Sequence, residues 1–232
     1  MSASLCAAVS IVLVHGAFAD GSSWSDVIAA LQARGCRVTA VQNPLTSLAD
    51  DVAATRAVVE RQPGKVLLVG HSWGGVVVTE AGNLPQVRGL VYLSAMVPDS
   101  KESAAGMLER LGAPMEGMAP DSQGRIWLDD PGIYGKVMAA DVPASRVHVL
   151  AATQQPIAAC VFGEAVSRAA WHDKPSWYLM TANDRALPLM VQRRLAEQIR
   201  ADSVLVQSSH MSLISQPGQV ADFIARAAGS LP

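Results

Sequence analysis

Short apolar runs alternate along this chain with longer stretches whose apolar positions recur at helical spacing. Ile11-Val12-Leu13-Val14 is an unbroken apolar run bounded by Gly16, the pattern of a strand buried on both faces. Ser25 to Arg34 predicts a helix ended by Gly35, Arg37 to Val41 a second strand stopped by Asn43-Pro44, and Ser47 to Arg61 a second helix. Leu48, Val52, Ala53, Thr55, Val58 and Val59 form the apolar face of that helix, and Pro63-Gly64 closes it. Lys65 to Val69 is a third strand, Gly75 to Ala81 a helix and Gly89 to Ser94 a fourth strand.

Past Pro98 the rhythm breaks, and the next strand pattern is Ser176 to Thr181. So long an interval cannot be one loop of a compact domain. It contains helical patterns at Lys101–Leu111, Ser145–Ala152 and Ile157–Ser167, broken by Pro114, Pro120, Pro131-Gly132 and Pro156. The expectation is a helical cap over 99–172, inserted into a core formed by 1–98 and 173–232. Alternation then resumes with a helix over Pro188–Arg200, a strand over Ser203–Gln207 and a last helix over Pro217–Ala228. This order predicts an α/β fold: a parallel sheet of about six strands covered by helices on both faces. Ligands on such sheets bind beyond the carboxyl ends of the strands, so functional residues should follow strand ends.

One motif sits at such an end. Gly70-His71-Ser72-Trp73-Gly74 is G-x-S-x-G between a strand and a helix, the setting of a nucleophile elbow. The turn is too sharp for side chains at the glycines, and it presents a serine hydroxyl at the tip of the strand above a helix N-terminus. The string alone is weak, and its meaning depends on what lies after the other strands. Asp184 follows the fifth strand, His210 the sixth, and the loop His15-Gly16-Ala17-Phe18 the first. Ser…Asp…His is the chain order this topology imposes on a triad.

A serine hydroxyl needs an adjacent base to act as a nucleophile at neutral pH. Of the five histidines, His71 should point away from Ser72, His15 suits a structural hydrogen bond, and His148 and His172 fall in the cap or its return. His210 alone lies between a core strand and the last helix. Asp184 would orient the imidazole; Asp202 precedes its strand and should sit at the wrong edge of the sheet. For an oxyanion hole the candidate backbone N–H groups are those of Trp73, after the nucleophile, and Ala17, with Phe18 second to Ala17.

Composition narrows the partners. Half of the 232 residues are hydrophobic and 16% are charged, which suits a large core, and a net charge of −2 gives no electrostatic case for nucleic acid or an anionic membrane. Cys6, Cys36 and Cys160 show neither C-x-x-C nor zinc-ligand spacing, so the expectation is reduced, buried thiols and a cytoplasmic protein. Leu5 to Val14 is apolar but lacks the basic segment of a signal peptide, and removing it would delete the first strand.

The ensemble resembles the α/β-hydrolase superfamily, in particular the small branch of plant methylesterases, hydroxynitrile lyases and their bacterial relatives. The matching segments are Leu13-Val14-His15-Gly16-Ala17-Phe18, Gly21-Ser22-Ser23-Trp24, Gly70-His71-Ser72-Trp73-Gly74-Gly75, Asn183-Asp184-Arg185 and Ser209-His210-Met211. The resemblance covers nearly the whole chain and is weakest in the cap. It implies a cofactor-free hydrolase with Ser72 as nucleophile, Asp184 as acid and His210 as base; with no zinc-ligand spacing in the sequence, no metal is expected either. Lyases of the branch carry a lysine after the catalytic histidine and a hydroxyl residue after the first-loop histidine; Met211 and Gly16 stand there, which weakens a lyase reading. In the cap and its return, Met107, Met115, Met118, Met138, Trp127, Tyr134, Trp171 and Trp177 suggest a small ester with an apolar acyl or alcohol group. Lactone or carbon–carbon bond hydrolysis on the same triad, a ligand receptor of the same fold, and a homodimer stay open.

Overall fold

A computed structural model describes residues 9–115 and 117–231. The continuous apolar runs become the centre of a sheet. Strands β1 (Val9–Val14), β3 (Lys65–His71), β4 (Val87–Leu93) and β7 (Ser176–Thr181) are almost wholly buried, while β2 (Arg37–Ala40) and β8 (Asp202–Val206) are partly exposed edges. The six strands lie in the order β2-β1-β3-β4-β7-β8, and every pairing is parallel. Val14 pairs with Gly70 and His71 with Leu93, so the central strands end nearly level and their following loops share one edge.

Helices α1 (Ser25–Gln32) and α9 (Pro217–Gly229) pack together, as do α2 (Leu48–Glu60) and α3 (Gly74–Ala81). The chain steps from β1 to β2 in one direction and from β2 to β3 and β3 to β4 in the other. Right-handed crossovers therefore put α1 and the α2–α3 pair on opposite faces. Helix α7 (Leu189–Gln198) joins β7 to β8 and packs on β7, and the short α8 (Ser212–Ser215) leads into α9.

Between β4 and β7 lie α4 (Ala104–Arg110), β5 (Arg125–Ile126), α5 (Pro131–Val137), α6 (Ala144–Thr153) and β6 (Ile157–Ala158). Two sequence expectations fail in this interval. The helix expected over Ile157–Ser167 is instead β6, antiparallel to β5, followed by a 3-10 turn at Ala159–Gly163. Its backbone is captured by tertiary partners: Ala158 N–H donates to Leu45 O (2.9 Å) and Ala159 N–H to Gly124 O (2.9 Å). Pro131-Gly132, read as a break, instead opens α5. Proline suits the first helical position, and the Asp130 carboxylate caps the turn by accepting from Ile133 N–H at 2.8 Å.

The cysteine expectation is also corrected. Cys36 is buried but disulfide-bonded, and Cys160 is a free thiol but exposed. Cys6 lies outside the described residues, as does most of the apolar segment before β1. The cytoplasmic expectation thus loses the argument from reduced thiols. Among the described residues, no helix is long and apolar enough to cross a membrane.

Candidate active site

Backbone strain collects beyond the ends of the first four strands. Phe18, Leu45, Ser72 and Ser94, which follow β1, β2, β3 and β4, all have positive φ (56°, 57°, 52° and 43°). Left-handed backbone at such residues costs about 1–3 kcal/mol each and is concentrated where geometry serves function. Ser72 is held there from both sides: its N–H donates to Leu93 O (3.2 Å), and its carbonyl accepts from Gly75 and Met96 N–H (2.9 and 3.2 Å). The glycines are required by close approach. A Cβ on Gly74 would lie 2.4 Å from Val14 O, and one on Gly16 only 2.7 Å from Ser72 Cβ. The loop after β1 is therefore pressed against the elbow.

Asp184 and His210 meet across the ends of β7 and β8. His210 Nδ1 lies 2.7 Å from Asp184 Oδ2, and both side chains are sealed from solvent. The same oxygen accepts from Thr181 Oγ1 (2.9 Å) and Gln192 Nε2 (3.0 Å), and Oδ1 accepts from Ala186 and Leu187 N–H (2.8 Å each). Burial alone would raise the Asp184 pKa. The charge and hydrogen bond of His210, with the bonds from Leu187 and Thr181, outweigh it and hold the carboxyl below its ordinary value. Since the carboxylate accepts at Nδ1, the neutral ring carries its proton there and leaves Nε2 as the basic nitrogen. Among the described residues, Nε2 has no hydrogen-bond partner.

Ser72 and His210 line one cavity of about 640 Å³ together with Ala17 and Phe18. The remaining lining is apolar apart from Arg185: Met96, Leu108, Met115, Met118, Met138 and Phe162 are representative. Of the aromatic and methionine residues expected around a pocket, Met115, Met118 and Met138 do line it. Met107, Tyr134 and Trp177 are instead buried in packing, Trp127 is exposed, and Trp171 stacks on His172. The Trp73 ring is fully buried core, edge-on to Phe162 with centroids 5.5 Å apart. Among the described residues, no hydrogen bond takes up the backbone N–H of Ala17 or of Trp73.

The other histidines separate by environment. His15 Nε2 accepts from Asn43 N–H (2.9 Å), so Nδ1 carries the proton and donates to Gly16 O (2.8 Å); burial lowers its pKa. His71 lies against His210, ring centroids 4.7 Å apart, and its Nε2 donates to His210 O (2.9 Å). Burial, reinforced by the neighbouring His210, pushes its pKa down to about 3. His172 pairs with Asp99 on the surface, away from the cavity. Asp202, the rival acid, begins β8 at the opposite edge of the sheet and lies 4.0 Å from Arg226.

Several supporting contacts carried no sequence signal. Gln192 is a buried amide on α7 that holds both Thr181 and Asp184. From the segment between β4 and β7, Tyr134 Oη donates to Phe18 O (3.1 Å), Met138 O accepts from Met211 N–H (3.0 Å), and Asp141 accepts from Ser209 N–H (3.2 Å) and Oγ. That segment thus grips the loop after β1 and both neighbours of His210.

A family model described as "Alpha/beta hydrolase family" matches residues 11–223. The chain belongs to the alpha/beta hydrolase family. It is 30% identical to the alpha/beta hydrolase nvfD of Aspergillus novofumigatus, over 94% of this chain and 96% of that protein. It is 24% identical to Methylesterase 1 of Arabidopsis thaliana, over 94% and 95% of the two chains. A crystal structure of a pyrethroid hydrolase superposes with a TM-score of 0.81 at 23% identity, covering 96% of this chain and 98% of the other.

Proposed function

We propose that this alpha/beta hydrolase cleaves small carboxylic esters through an acyl-enzyme on Ser72. The observation that carries the reading is the sealed Asp184–His210 pair, which leaves Nε2 unpartnered and places His210 on the cavity that Ser72 also lines. In the reaction, His210 Nε2 takes the Ser72 hydroxyl proton as Oγ adds to the ester carbonyl carbon. The tetrahedral oxyanion is met by the N–H groups of Ala17 and Trp73 at the N-terminus of α3. Collapse breaks the bond to the alkoxy oxygen, which leaves with the proton from Nε2. Water then gives its proton to Nε2 and adds to the acyl carbon, and the carboxylic acid departs as Ser72 recovers its hydrogen. Asp184 holds the ring in the Nδ1–H tautomer and stabilises the imidazolium. The mostly apolar lining favours an apolar acyl or alcohol group, and the relative named a methylesterase supports ester chemistry. The residue after His210 is a methionine, fully buried, so no cationic side chain stands where the lyase alternative would need one.

A fluorophosphonate probe should label one residue, Ser72, and Ser72→Ala should abolish both labelling and hydrolysis of an activated ester. Peptide mass spectrometry reads the site. Label on another serine, or none on folded protein, would remove the nucleophile assignment.

A further inference from the structure

Behind the elbow, the connection from β2 to α2 and the first turn of α2 touch the two segments that offer N–H groups to the cavity. Asn43, 1% exposed, donates from its backbone to His15 Nε2 (2.9 Å) and from Nδ2 to His15 O (3.0 Å). His15 in turn donates to Gly16 O (2.8 Å), immediately before Ala17. Eight residues on, Asp51 is fully buried and spends one oxygen on each of two donors: Oδ2 accepts from the Trp73 indole Nε1 and Oδ1 from Leu45 N–H, both at 2.7 Å. Leu45 is one of the left-handed residues, so the Asp51 bond also pins a strained turn between Asn43 and α2. Neither Asn43 nor Asp51 lines the cavity.

A buried carboxylate is a costly way to fill space; apolar side chains of similar volume do so at least as well. What it supplies is direction, and here the direction ends on Trp73. The contact of Gly16 with Ser72 leaves the two N–H segments little slack, so a shift in either changes their separation. We propose that Asn43 and Asp51 are positioning residues for the oxyanion hole: Asn43 sets the Ala17 side through His15, and Asp51 sets the Trp73 side through the indole. The inference rests on the serine-hydrolase reading above and adds how its electrostatic site is held at working distance.

Misplacing such a donor by an ångström costs on the order of 10²-fold in rate, close to the cost of deleting one. The test compares wild type, Asp51→Asn, Trp73→Phe, the double variant and Asn43→Ala. Each is assayed for kcat and KM on p-nitrophenyl butyrate and for inhibition by an aryl trifluoromethyl ketone, which forms an oxyanionic hemiketal on Ser72. The single variants should lose ~10–10²-fold in kcat with KM within a few-fold, and should lose ketone affinity by the same factor as kcat/KM. In Asp51→Asn the new amide N–H₂ faces a donor; Trp73→Phe removes the indole donor, so the double variant should be no slower than Trp73→Phe alone. Unchanged kcat, additive losses, or a rise in KM with undiminished ketone affinity would overturn the inference. Should Asn43→Ala or Asp51→Asn fail to fold, Trp73→Phe still tests the indole bond through the same readouts. Failure of wild type to label at Ser72 would overturn the serine-hydrolase reading instead.

Discussion

Two carboxylates, Asp184 behind His210 and Asp51 behind Trp73, are equally hidden from water and respond in opposite directions. Burial pushes both pKa values up. At Asp184 the imidazole of His210 and several hydrogen bonds reverse the shift. At Asp51 burial wins and the pKa rises to about 6, because its partners, the Trp73 indole and the Leu45 N–H, are neutral and the nearby charges of Asp50 and Glu164 are of its own sign. The difference shows that depth alone does not say what a buried acid does. On the proposed mechanism, a partner that becomes positive makes Asp184 an electrostatic participant, whereas the hydrogen-bond partners of Asp51 are neutral groups that it holds in place.

The strongest way to break this contrast is to neutralise Asp184. Asp184→Asn keeps the shape but removes the anion and the tautomer control of His210, so kcat should fall on the order of 10⁴-fold on an activated ester. Combined with Ser72→Ala it should cost hardly more than Ser72→Ala alone, since such groups act as a unit. Asp202→Asn, at the far edge of the sheet, should leave kcat/KM near that of wild type. Collapse in Asp202→Asn with near-normal turnover in Asp184→Asn would put the acid on the wrong strand.

Why Asp184 was legible in the sequence and Asp51 was not follows from the same contrast. The sheet writes itself in continuous apolar runs, and a parallel sheet places function at strand ends, so Ser72, Asp184, His210 and the His15–Phe18 loop stand out by position. Asp51 lies inside a helix, where Leu48, Val52 and Thr55 give an ordinary amphipathic face and an acid in the first turn reads as a favourable dipole contact. Its partner Trp73 is adjacent only in three dimensions, and the same holds for Gln192. The interval between β4 and β7 was misread for a related reason. Ile157 and Val161 have helical spacing, but Leu45 and Gly124 claim the backbone and make a strand and a tight turn. Non-local hydrogen bonds there outweigh local periodicity.

A smaller effect sharpens the comparison from the side of stability. Asp51 ionises near 3.8 in an unfolded chain and at about 6 in the fold, so the folded state binds its proton more tightly. Its contribution is therefore fully present below pH 3.8, declines as pH rises through about 6, and is level above that. Asp184 has the opposite sign: with its pKa lowered from 3.8, its contribution stands above that pH and is lost as pH falls through the folded value. Asn at position 51 does not titrate, so comparing wild type with Asp51→Asn cancels the other ionisable groups to first order. Urea unfolding at pH 4.5 and pH 7.5 should show wild type losing about 2 kcal/mol relative to Asp51→Asn between the two conditions. A difference that stays flat over this range would mean that Asp51 is ionised throughout. The Trp73 indole and Leu45 amide would then offset burial as fully as His210 does, and the contrast between the two acids would rest on position alone.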